Sequence, residues 1–197
     1  HSAVGGIWDN QNPLSTIYNS AHLISSRPMT EFDEFPMGDD IADFPHHSKI
    51  KEYFHKFSEH FDLNKFIRFN SNITQVSKNG DGSWRVNYTD TNSGESFEED
   101  YKGVILSTGL FNLGNQNIPK WDGQEDFNGD IIHAANYKDN QLFADKRVLV
   151  VGCGNSAADI TIDAVHRAKS VDMSVRRGYY FIPKYLFGRP MDQISSP

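Results

Sequence analysis

Cysteine is almost absent from this 197-residue chain: Cys153 stands alone, so no intrachain disulfide can form, and a reducing, cytoplasmic setting is expected. No apolar run approaches the ~20 residues that a membrane span needs, and the first residues lack the order of a secretory leader. Blocks of one charge are missing too. The 19 Lys and Arg are mixed among 26 Asp and Glu, giving net charge −7 and a pI near 5.5. Neither nucleic acid nor a membrane is therefore an expected partner. His46, His47, His55 and His60 have no carboxylate or thiol partner at ligand spacing, so no metal site is expected.

What is present centres on residues 147–177. Val148-Leu149-Val150-Val151 reads as a strand buried on both faces. Gly152-Cys153-Gly154-Asn155-Ser156-Ala157 follows. Gly152 suits a tight turn, Gly154 a close approach of backbone to a pyrophosphate, and Ala157 close packing of helix on strand. Asn155 and Ser156 open a helix whose free N–H groups favour an anion. Ala157, Ile160, Ala164 and Ala168 form its inner stripe, widened by Ile162 and Val165, while Asp163, Arg167 and Lys169 are expected to point away. A strand over 170–175 completes a β-α-β unit. After it, where an acidic residue would accept ribose hydroxyls, stand Arg176 and Arg177. A guanidinium binds a 2′-phosphate that a carboxylate would repel, which points to NADP. Two parallel strands are too few for a nucleotide-binding domain. With His1 at the start and Ser195-Ser196-Pro197 at the end, the chain reads as a piece of a longer protein.

Earlier in the chain, residues 1–47 are irregular, with Phe32, Phe35 and Phe44 arguing for an ordered segment packed over a domain face. The pattern is helical from Ser48, a plausible N-cap, to Leu63, with Ile50, Tyr53, Phe54, Phe57 and Phe61 on one stripe. Three strands follow as a β-meander: 66–76, 84–89 and 96–100, turned at Asn79-Gly80-Asp81-Gly82 and Asn92-Ser93-Gly94. Gly103-Val104-Ile105-Leu106-Ser107-Thr108-Gly109 reads as another buried strand, and 178–188 as aromatic core.

The connector before the nucleotide strand carries Phe127, Gly129, His133 and Tyr137 in the spacing F-x-G-x-x-x-H-x-x-x-[FY]. That motif, followed by the Gly152 to Asp159 turn, resembles the flavin-containing monooxygenases. Gly5-Gly6-Ile7-Trp8, the first helix, the meander and Ser107-Thr108-Gly109 resemble successive elements of the same family, so the likeness runs from about Gly5 to Pro190. Baeyer-Villiger monooxygenases are similar but place Trp where Tyr137 stands.

The resemblance implies an α/β, two-dinucleotide-binding-domain flavoprotein fold in partial form. Residues 1–110 would be the later part of the FAD domain with its meander, 111–145 the connector, and 146–197 the start of a Rossmann-like NADP domain. The first β-α-β unit, with the glycine fingerprint for FAD, is not among these residues. Implied cofactors are FAD and NADP. Gly152, Gly154, Asn155, Ser156 and Ala157 would hold the pyrophosphate, Arg176 and Arg177 the 2′-phosphate, and Ile7, Trp8 and Ile73 would line the FAD site. His133 and Tyr137 look structural. Many family members carry an Asn beside the flavin, six residues after a Tyr matching Tyr18; Ile24 stands there, and nearby His22 is the candidate catalytic hydrogen-bonding group. The implied reaction moves one oxygen atom from O2, through a flavin hydroperoxide, to the nitrogen or sulfur of a small amine or sulfide. A Baeyer-Villiger enzyme, an NADPH oxidase, and a non-catalytic NADP-binding fragment stay open as alternatives, as does a homodimer.

Overall fold

The computed structural model describes residues 1–109, 116 and 118–195. The N-terminal segment is irregular except for short 3-10 turns at Gly6–Trp8 and Arg27–Met29. It is held by packing: Phe32 and Phe35 lie against Phe57 of the first helix with ring centroids 4.7 and 5.7 Å apart. The Tyr53 hydroxyl donates to the Phe35 carbonyl at 2.7 Å and accepts from the Phe32 N–H at 2.9 Å. Helix α1 spans His47–His60. Its cap is His46, not Ser48, because the His46 ring Nδ1 accepts from the Ser48 N–H at 3.3 Å. The helix ends short of Leu63, where Asp62 turns to φ +50°. Ile50 and Tyr53 are buried, while Phe61 at the far end of the stripe is 40% exposed.

The meander consists of β1 (Ser71–Lys78), β2 (Trp84–Asp90) and β3 (Ser96–Tyr101), antiparallel in that order. The first strand begins later than the apolar pattern implies, because Asn64–Phe66 forms a 3-10 turn with Phe66 exposed. A bulge lies between Ile73, which pairs with Tyr88, and Gln75, which pairs with Asn87. Val86 and Tyr88 are buried on one face, and Tyr88 stacks on Phe97 at 5.2 Å. The Glu99 carboxylate accepts from Tyr101 at 2.5 Å, from Tyr88 at 2.7 Å and from Arg68 at 2.7 Å. These bonds hold its pKa down to about 2.

The nucleotide-strand prediction holds in outline and fails in detail. Parallel strands β4 (Arg147–Val151) and β5 (Ser170–Ser174) flank α2 (Asn155–Val165), with Val148 opposite Val171 and Val151 opposite Ser174. Only one face of β4 is covered: Val148 and Val150 pack on the core, whereas Leu149 and Val151 are 63% and 58% exposed. On α2, Ile160 and Ala164 are buried, but Ile162 and Val165 lie in solvent. Asp163 turns inward rather than away, because three donors gather around its carboxylate. The core joins Ile17, Tyr18 and Ala21 from the N-terminal segment, Tyr137 and Phe143 from the connector, and Ile160 and Ala164 from α2.

Two expected core segments are not core. Residues 103–109 form no strand, and Ile105 and Leu106 are 91% and 77% exposed; among the described residues no strand lies beside them to supply a ladder. In 178–188, Tyr179, Tyr180, Phe181, Ile182 and Phe187 are exposed. The remainder forms the short hairpin β6 (Tyr185–Leu186) with β7 (Arg189–Pro190), followed by α3 (Met191–Ser195). That end folds back on the N-terminal segment through Asp192, which accepts from the Ser26 N–H at 2.6 Å, and through Tyr185, edge-on to Phe44 at 5.4 Å. The connector's residues 111–115 and 117 lie outside the described residues. Among those described, no helix is long and apolar enough to cross a membrane.

Candidate functional site

The turn from β4 to α2 has the geometry of an anion cradle. Gly152 sits at φ +120°, a region open to glycine and strained for any side chain. Its N–H donates to the Ser174 carbonyl at 2.9 Å, which ties the turn to the end of β5. A Cβ added at Gly152 or Gly154 would meet nothing within 4 Å, so the space in front of both backbones is open. Gly154 is the N-cap of α2 and supplies no side-chain bond to the helix's first N–H groups. Those donors and the positive end of the dipole are therefore free for a phosphate. Asn155 and Ser156 are exposed, and Ala157 is half-buried.

Arg176 and Arg177 leave the same edge. Ser174 pairs with Val151 and bonds Gly152, which puts the exposed arginines two and three residues beyond the tie. Neither has an ion-pair partner among the described residues. The open cradle, the uncapped helix and two exposed arginines following the same strand end are groups that could hold the phosphates of a dinucleotide.

The other sequence-designated residues are spread out. Ile7 lies in the Gly6–Trp8 turn, its carbonyl bonded by the Ser15 hydroxyl, and Trp8 packs partly buried against the core. Ile73 is 53% exposed in β1, in a different sheet from the nucleotide turn. Beside Trp8, Asp9 is buried. Burial pushes its carboxyl up, but Lys51, at 2.7 Å, and the Gln11 N–H outweigh that and hold it below the usual carboxylate value. His22 is exposed. Its Nδ1 lies 2.8 Å from the Ser20 carbonyl, and its ring meets His46 edge-on at 5.1 Å. With Nδ1–H committed to that carbonyl, Nε2 is presented as an acceptor. Ile24 is exposed.

Sequence reasoning missed the polar hub behind the turn. Tyr18 donates to Asp159 Oδ2 at 2.6 Å. Asp163 accepts from Tyr137, from Ser20 at 2.9 Å and from Asn140 at 2.9 Å. Burial first, and then the carboxylate each faces, raises the pKa of both phenols, so both stay protonated donors. Tyr137 is fully buried, stacked on Phe143 at 5.2 Å. His133 caps the turn Ala134–Asn136 that positions Tyr137. The signal available in the sequence was the i, i+4 spacing of Asp159 and Asp163 on one side of α2.

The flavin-binding monooxygenase-like family model matches residues 1–195. The chain belongs to that family. It is 32% identical over 202 residues to flavin-containing monooxygenase 5 of Homo sapiens, covering 98% of this chain and 38% of that protein. To dimethylaniline monooxygenase [N-oxide-forming] 2 of Oryctolagus cuniculus it is 33% identical over 200 residues, covering 97% and 37%. Among solved structures, S-allyl-L-cysteine S-oxygenase from Allium sativum superposes with a TM-score of 0.77 at 23% identity, over 95% of this chain and 44% of that one. The chain thus spans little more than a third of the length of these curated relatives. Membership confirms the two-dinucleotide-binding flavoprotein fold in partial form, and FAD and NADPH are the cofactors of the family.

Proposed function

We propose that this chain supplies the NADP-binding turn and part of the FAD-facing surface of an NADPH-dependent flavin monooxygenase that oxygenates the nitrogen or sulfur of a small amine or sulfide. The observation that carries the reading is the glycine turn at φ +120° opening into an uncapped α2, with Arg176 and Arg177 on the same edge. The N–H groups of Asn155, Ser156 and Ala157 hold the pyrophosphate. Arg176, with Arg177, holds the 2′-phosphate and selects NADPH over NADH. Ile7, Trp8 and Ile73 line the FAD side and keep water from it. His22 offers Nε2 as a hydrogen-bond acceptor to the nicotinamide and flavin pair. FAD, when bound, supplies the redox chemistry, accepting hydride from NADPH and activating O2.

Two relatives are named for N-oxide formation and S-oxygenation, and Tyr137 stands where Baeyer-Villiger enzymes are expected to carry Trp. Both support a soft nitrogen or sulfur acceptor over a ketone. The free Cys153 suits a reducing, cytoplasmic setting. Because the chain spans 38% of its relatives, the activity is proposed for the protein that carries the remaining family segments. The test is turnover of that protein with O2 and a sulfide, an amine or a ketone. NADPH consumption coupled to sulfoxide or N-oxide is the expected result. An ester product would move the assignment to the Baeyer-Villiger class, and hydrogen peroxide as the only product would contradict oxygen transfer.

A further inference from the structure

The inner face of α2 is built largely from Ala164 and the following Ala168, with Ile160 the one large apolar side chain buried there. Such a face packs closely but specifies rotation and register poorly, since small side chains offer few interlocking contacts. Directional hydrogen bonds do what the alanines cannot. Asp159 and Asp163, one turn apart, receive Tyr18 and Ser20 from the N-terminal segment, and Tyr137 and Asn140 from the connector. The same N-terminal segment is pinned to the connector by Lys138, whose ammonium donates to the carbonyls of Ser15 at 2.6 Å and Ile17 at 3.1 Å. Hydrogen bonds to a carboxylate are short and directional, so they fix where their donors sit as well as contributing to stability.

We propose that Asp159 and Asp163 are positioning residues: with Tyr18 and Tyr137 they form a two-point latch that fixes the rotation of α2, and with it the approach of the nicotinamide to the flavin. Tyr18 is the point of most direct control, because its hydroxyl bonds Asp159, which lies one turn along α2 from Asn155 at the helix start. Losing the latch leaves the phosphate donors in place but lets the far end of the dinucleotide wander. A misplacement of about 1 Å at the reacting atoms costs rate on the order of a hundredfold without a matching loss of binding.

This inference rests on the NADPH-dependent reading above. In the flavin-loaded full-length protein, Tyr18→Phe is expected to slow flavin reduction at saturating NADPH by about tenfold or more, with the NADPH Kd held within about threefold. Asp159→Asn keeps a carbonyl acceptor for Tyr18 and is expected to retain most of the rate, whereas Asp159→Ala falls with Tyr18→Phe. The double variant Tyr18→Phe/Asp159→Ala is expected to be no slower than either single one, as for two halves of one contact. An unchanged reduction rate in Tyr18→Phe, a loss confined to Kd, or additive losses in the double variant overturns the proposal. Should Tyr18→Phe fail to retain flavin, equal rates in Asp159→Asn and Asp159→Ala overturn it instead. Wild-type protein that NADPH does not reduce brings down the functional reading and the latch with it, while normal wild-type reduction beside an indifferent Tyr18→Phe brings down the latch alone.

Discussion

The meander and the nucleotide unit are both small sheets, yet they satisfy themselves differently. The meander is antiparallel, exposes one face without penalty and settles its polar groups locally: Glu99 with Arg68, Tyr88 and Tyr101, and Arg85 with Asp100 at 3.0 Å. The nucleotide unit is parallel, a geometry that calls for cover on both faces, and it has cover on one. Its core comes from residues more than a hundred positions away, Ile17, Tyr18 and Ala21, together with Tyr137 and Phe143. Stability of the glycine turn therefore depends on the segment that the family resemblance assigns to the FAD domain, so the proposed nucleotide site is mechanically tied to the proposed flavin side.

The most disruptive way to break this contrast is Tyr137→Ala. It opens a cavity where the three segments meet and leaves Asp163 short of a donor, with an expected cost of about 3–5 kcal/mol. Urea unfolding monitored by circular dichroism reads it; a loss under about 1 kcal/mol would show the shared core to be dispensable. Gly152→Ala acts on the turn alone. Open space around the position leaves backbone strain as the only penalty, about 1–3 kcal/mol, and calorimetry should show weakened NADPH binding with the rest of the fold intact.

The smallest effect belongs to the meander and runs with pH. The Glu99 pKa is lowered from 4.5 to about 2 in the fold. Its contribution is thus complete above about 4.5 and is lost as pH falls through that window toward 2. Glu99→Gln should flatten the pH dependence of the unfolding midpoint there and change little at neutral pH. An unaltered acid limb would place the acid sensitivity elsewhere, with Asp9 the next carboxyl to test.

Local signals were legible in the sequence and distant ones were not. The glycine turn, the helix after it, the meander turns and the family motif are all contained within a few residues of themselves, and each appears where the pattern puts it. His46 as a cap was missed because a histidine ring does this work less often than the Ser48 hydroxyl two residues on. In residues 103–109 and on the outer side of β4, Val, Ile and Leu call for neighbours; burial depends on whether a neighbour is placed beside them, which composition cannot state. Helical periodicity points Asp163 to solvent, and only the fold shows Tyr137, Ser20 and Asn140 converging on it. The candidate site divides along the same line. Its phosphate-binding half lies in one continuous stretch, while Ile7, Trp8, Ile73 and His22 owe their assignment to resemblance.

The central claim, that this turn takes NADPH and reads its 2′-phosphate, is tested most directly by calorimetric titration of the 197-residue chain with NADPH and with NADH, repeated on Arg176→Ala. NADPH should bind better than NADH. The substitution should remove that preference at a cost of about 1.5–3 kcal/mol, tenfold or more in affinity. Equal affinity for the two nucleotides in the wild-type chain, or a preference that survives Arg176→Ala and the Arg176→Ala/Arg177→Ala pair alike, would contradict it.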